Sequence, residues 1–139
     1  MIEWKILSVG DAQSLWDSIE SETRDCLAKG LDSSSNNIDL VRRLVFDGSL
    51  LVARAADEQG QLQGSSVIKL VGDGTAHAIT VTGTGLANQQ SADSYYEMLR
   101  QLGVKKIQAL CQENTARLWG KVGFNPTHYI MEVNLWADS

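Results

Sequence analysis

The sequence predicts an α/β fold of the α+β kind: a mixed, mostly antiparallel central sheet with helices on both faces, in the order β-α-α-β-β-β-α-β-α-β. Three observations carry that expectation. Alternating segments joined by short Gly-containing turns in the middle of the chain predict an antiparallel meander. A strand, helix and strand in succession then predict a parallel pair, since parallel neighbours need a crossover. Two amphipathic helical patterns separate the first strand from the meander. With 139 residues the chain is read as one domain, 1–139, and a domain of this size buries roughly two thirds of its unfolded surface.

The elements follow in order. "EWKILSV" alternates as a strand, and Asp11 is placed to cap a helix with Leu15, Trp16, Ile19, Thr23, Cys26 and Leu27 at helical spacing, ending near Gly30. After the polar loop "LDSSSNN", a second helix carries Ile38, Val41, Leu44 and Val45 on one face and closes at Asp47 and Gly48. "SLLVARAAD", "SSVIKLV" and "TAHAITVTG" read as three strands, joined through "EQGQLQG" and "GDG". A helix from Asn88 to Leu102 stops at Gly103 before the strand "KKIQALC". The short helix "ENTARLWGKVG" precedes a closing alternating strand, "THYIMEVNLW".

Composition narrows the function. Twelve Lys and Arg against 17 Asp and Glu leave a net charge of -5, which argues against a protein that grips nucleic acid or an anionic membrane. No run of 18 apolar residues exists, and "MIEWKILSVGDAQ" is charged where a signal peptide needs its apolar core, so a cytoplasmic chain is expected. Cys26 and Cys111 stand far apart inside apolar patterns, without metal-ligand spacing, so buried thiols and no metal are expected.

The stretch "VTGTGLANQQ", residues Val81 to Gln90, carries the main chemical signal. It puts two glycines where a strand hands over to a helix. A helix N-terminus has unpaired N–H groups and about half a positive charge of dipole, so it suits a pyrophosphate, and glycines let the backbone come close. The order of elements, the Gly-Phe pair at Gly123 and Phe124, and Tyr129 and Met131 in the last segment resemble the GNAT acyltransferases. In that family the corresponding turn reads Arg or Gln, two residues, Gly, one residue, then Gly or Ala. Here Thr82, Gly85 and Ala87 fall on it. The resemblance implies acetyl-CoA as co-substrate, bound by Val81, Thr82, Gly83, Gly85, Ala87, Gln112 and Asn114.

Three positions depart from the family pattern. Thr82 stands where a long polar side chain is usual, and the charge-assisted hydrogen bond such a side chain makes is worth roughly 1.5 to 3 kcal/mol. Gln112 takes the place of an Asn, with Asn114 two residues on as a substitute. Trp119 takes the place of the Tyr that often protonates the departing thiolate, and an indole N–H is no acid near neutral pH. His77, four residues before Val81, is the candidate base, because imidazole is the side chain suited to taking a proton near neutral pH. The backbone N–H of Val81 or Thr82 would polarise the thioester carbonyl, and His128 and Tyr129 are alternative proton donors.

Two functions follow from these residues. One is an N-acyltransferase moving an acetyl group from acetyl-CoA to an amine, on a small molecule or a protein. The other is a catalytically degenerate protein of the same fold that binds or builds, such as a bacteriophage virion component; a homodimer or a protein assembly is compatible with either. No nucleic-acid or membrane partner is expected under either.

Overall fold

In the computed structural model, which describes residues 1–28, 37–82, 88–109 and 113–127 with Met131, Val133 and Leu135, five strands form one sheet. They are β1 (Glu3–Ile6), β2 (Leu51–Ala56), β3 (Leu62–Val71), β4 (Thr75–Val81) and β5 (Lys106–Gln108), lying side by side in chain order. β1 to β4 pair antiparallel. β4 and β5 run parallel, because α4 (Gln89–Arg100) crosses between them.

Side-chain alternation gives the sheet two buried faces. Ala53, Ala55, Ile68 and Ala76 pack against Ala92, Tyr95, Met98 and Leu99 of α4. On the other face, Val52 and Val67 meet α1 (Val9–Ser14), α2 (Trp16–Ala28) and α3 (Asn37–Phe46) through Ala12, Trp16, Ile19, Ile38, Val41 and Val45. The helices therefore cover both faces, as the pattern predicts. Polar residues of α4 also blunt the outer edge of β1: Ser94 Oγ accepts the Trp4 amide at 2.9 Å, and Gln90 takes both the N–H and the C=O of Ile2.

The first helix departs from expectation. Ser8, not Asp11, is the cap; its hydroxyl oxygen accepts the Asp11 N–H at 3.1 Å, so Asp11 sits inside the first turn. The helical run also breaks at Leu15 into α1 and α2, after Gly10 and a Ser14 hydroxyl that bonds back to the Gly10 carbonyl at 3.0 Å. Both features weaken a helix interior. Its predicted end at Gly30 lies outside the described residues. β3 begins at Leu62, within the segment expected to be a turn, because Asp57 closes a tighter one by accepting the N–H groups of Gln59 and Gln61. β5 covers three of the expected residues, with 110–112 outside those described. Of the expected last strand only Thr127, Met131, Val133 and Leu135 are described, none of them in a strand. α5 (Glu113–Gly120) falls where expected, and the turn after it places Phe124 against Trp119 and Tyr96.

Candidate functional site

The site begins with an irregularity in β4. Val67 opposes Thr80 and Ile68 opposes Ala78, so Ile79 is an extra residue, a β-bulge. Side chains close the ladder there. Thr80 Oγ1 accepts the Val67 N–H at 3.0 Å, and Ser66 Oγ donates to the Thr80 carbonyl at 2.7 Å. With the one Ser66 hydrogen used, the Tyr95 hydroxyl, 2.9 Å away, is the donor to Ser66. Burial pushes the Tyr95 phenol up to about 12.

Beyond the bulge one edge of the strand has no partner among the described residues. The β4–β5 register runs through Thr75↔Lys106, Ala76↔Ile107 and His77↔Gln108, and among the described residues no strand follows β4 further on that side. The Thr82 N–H donates to the Ser65 carbonyl at 2.9 Å, toward β3. Backbone groups alternate in direction along a strand, so the Val81 N–H faces the other edge, away from β3. Residues 83–87 follow, and then Asn88 caps α4, its Oδ1 accepting the Ser91 N–H at 2.9 Å. An outward amide and a helix N-terminus thus stand at the same end of β4.

A wall of α2 borders this end. Glu22 Oε2 accepts hydrogen bonds from Thr82 Oγ1 at 3.0 Å and from the buried Ser65 Oγ at 3.1 Å. One helical turn on, Cys26 Sγ lies 3.9 Å from the Val81 carbonyl oxygen. Sequence reasoning missed Glu22. The available signal was its place beside the apolar stripe of Ile19, Thr23 and Cys26, where a solvated face would give way to a buried one.

Of the sequence candidates, the structure brings Val81 and Thr82 together with this wall. His77 is elsewhere: it is exposed on the paired part of β4, Nε2 3.2 Å from Gln108 Oε1, and about 13 Å of extended chain separates it from Val81. Asn114 falls within α5. Gly83, Gly85, Ala87, Gln112, His128 and Tyr129 lie outside the described residues. Trp119 is partly buried against Phe124, ring centroids 5.3 Å apart, which gives the indole a packing role. A cleft of about 160 Å³ among Tyr96, Leu99, Arg100, Val104, Lys105 and Ile107 sits toward the other end of α4. Among the described residues no His, Cys, Asp and Glu side chains gather to hold a metal, and no helix is long and apolar enough to cross a membrane.

No family model matches the chain, and no curated protein does. Solved structures do match. YycN of Bacillus subtilis, to which acetyltransferase activity is ascribed, superposes with a TM-score of 0.65 at 15% identity, over 97% of this chain and 99% of that one. An aminoglycoside acetyltransferase from an uncultured soil sample gives 0.62 at 11%, over 97% and 99%. A protein of Clostridium acetobutylicum, also ascribed acetyltransferase activity and solved with acetyl-CoA, gives 0.59 at 13%, over 97% of each chain. Low identity with near-complete coverage locates the likeness in the arrangement of elements: the chain has the GNAT acetyltransferase fold, in a divergent sequence.

Proposed function

We propose that this protein is a GNAT-type N-acyltransferase that moves an acetyl group from acetyl-CoA to an amine. The observation that carries the reading is the edge of β4 past its pairing with β5, where the Val81 N–H faces away from β3 and no described strand takes it. An amide there donates to the thioester oxygen and stabilises the negative charge that grows on it during attack. The Thr82 amide is already given to Ser65, so the polarising role falls to Val81. Thr82, Gly83, Gly85 and Ala87, which the resemblance assigns to the pyrophosphate, would wrap it ahead of α4. Gln112, outside the described residues, and Asn114 of α5 would border the coenzyme, as the resemblance implies.

The solved relatives support the coenzyme and an amine acceptor: one was solved with acetyl-CoA and another is an aminoglycoside acetyltransferase. A general base acts within hydrogen-bond reach of the nitrogen or through one water. His77, about 13 Å from Val81, would need an acceptor that reaches the paired part of β4. Trp119 supplies no acid, so the thiolate takes its proton from the incoming nitrogen or from solvent.

Calorimetric titration with acetyl-CoA tests the proposal, with Gly85→Asp as the control. Micromolar binding that the variant loses supports the turn as a pyrophosphate loop. No binding at millimolar acetyl-CoA would overturn the reading and favour the noncatalytic alternative.

A further inference from the structure

We infer that Tyr95 is a positioning residue for the proposed acyl transfer: from α4 it acts through Ser66 on the peptide group whose N–H is to hold the acyl oxygen. The inference rests on that reading and adds a residue to it. The chain of contacts is short and internal. The Tyr95 hydroxyl donates to Ser66 Oγ across 2.9 Å, and Ser66 Oγ donates to the Thr80 carbonyl across 2.7 Å. That carbonyl and the Val81 N–H belong to one peptide group. Tyr95, Ser66 and Thr80 are all buried, so no bulk water competes for these bonds.

A peptide group is planar and stiff, and in the trans form its C=O and N–H point in opposite directions. Holding the Thr80 carbonyl toward β3 therefore holds the Val81 N–H away from it. The bulge at Ile79 disturbs the backbone ladder at this point, which leaves the aim of that group to side chains. Ser66 alone would not fix it, because a hydroxyl rotates and its one hydrogen has other choices. With Tyr95 donating to its oxygen, the Ser66 hydrogen is left for Thr80. Linked hydrogen bonds also polarise one another, most in a buried setting. A donor on the carbonyl oxygen draws charge through the amide resonance, so the Val81 N–H becomes the stronger donor. An amide aimed before charge develops on the acyl oxygen needs no reorganisation during attack.

Isotope-edited infrared spectroscopy of carbonyl-labelled acetyl-CoA bound to the whole chain tests this without an acceptor. In the native protein the bound carbonyl should absorb below its frequency in a dry aprotic solvent. Tyr95→Phe and Ser66→Ala should each move the band up. Tyr95→3-fluorotyrosine keeps the shape and donates more strongly, and should move it further down. Gly74→Ala, which acts at the start of β4, should leave it in place. Calorimetry gives a second readout: the native protein should prefer acetyl-CoA about fivefold over S-ethyl-CoA, which has no carbonyl, as one neutral hydrogen bond would make it. Tyr95→Phe should cut that preference to about twofold and keep the S-ethyl-CoA affinity. A band that stays at its native position in Tyr95→Phe, or that does not move down in the fluorinated protein, would overturn the inference and leave acyl transfer standing. The fluorinated protein decides the matter even if the smaller variants do not fold. No binding of acetyl-CoA, or a native bound carbonyl at its aprotic frequency, would instead overturn the acyl-transfer reading and this inference with it.

Discussion

Ser66 and Thr80 hold each other across the bulge in β4: the Ser66 hydroxyl donates to the Thr80 carbonyl at 2.7 Å, and the Thr80 hydroxyl oxygen accepts the N–H of the next residue, Val67. An extra residue in a strand leaves ladder groups unpaired, and buried groups of that kind are costly. Both side chains repair this, and Ser66, Val67 and Thr80 are all buried. Thr80→Val keeps the shape and removes the acceptor. It is expected to cost about 1–3 kcal/mol in urea unfolding and to weaken acetyl-CoA binding as the edge at Val81 loses its set. A stability loss without any change in binding would separate the bulge from the site.

The Tyr95 phenol links stability to pH. Its folded pKa of about 12 lies above the ordinary 10, so the folded state holds the proton longer than the unfolded chain does. The stabilisation is therefore complete below pH 10 and is lost as pH rises from 10 through 12. Two pKa units correspond to about 2–3 kcal/mol. Unfolding free energies measured from pH 9 to 11.5 should fall for the native protein and fall less steeply for Tyr95→Phe. Tyr96, whose pKa burial and Asp93 raise, contributes a residual slope in both.

The hairpin between β3 and β4 turns at Asp73 and Gly74, with φ of +66° and +72°. Two successive positive angles are the signature of a type I′ turn, which favours Asp-Gly. A Cβ on Gly74 would stand 3.2 Å from Lys105 Cγ and 3.4 Å from the Gly103 carbonyl oxygen. The Gly74 carbonyl also receives the Lys105 and Lys106 N–H groups at the start of β5. Gly74→Ala is expected to cost about 1–2 kcal/mol, read as a lowered Tm, while Asp73→Asn stays near neutral.

Cys26 can report on the site. Its thiol lies 3.9 Å from the Val81 carbonyl oxygen and is partly exposed. In a Cys111→Ser background, saturating acetyl-CoA should slow alkylation of Cys26 by iodoacetamide at least about fivefold, because a bound ligand blocks access to the thiolate. An unchanged rate beside proven binding would move the acetyl group away from this wall.

His77→Ala should leave turnover with an alkylamine within about twofold and its profile between pH 6 and 8 unchanged, because a base must reach the nitrogen it serves. A large loss with a flattened profile would return the base to His77 and place the acceptor over the paired part of β4.

Much of the fold was legible because the interactions behind it are local. The start of α4 near Asn88, Gly103 as stop, "GDG" as hairpin turn and the 3.6-residue stripe of α4 all depend on residues within a few positions of each other. The same local logic marked "VTGTGLANQQ" as a strand-to-helix turn. It failed at Leu15, where continuous apolar spacing concealed a break between α1 and α2. The bulge at Ile79 was hidden as well. It requires the hydroxyl of Ser66 on the neighbouring strand and of Tyr95 on the opposing helix, 14 and 29 residues from the groups they bond. Glu22 was least legible of all. Spacing makes it one more acid on an amphipathic helix, and only the packing of α2 against β3 and β4 brings it to Thr82, 60 residues away. Periodicity and capping are written in neighbouring residues; a site is assembled from distant ones, through registers and helix packing that no short stretch encodes.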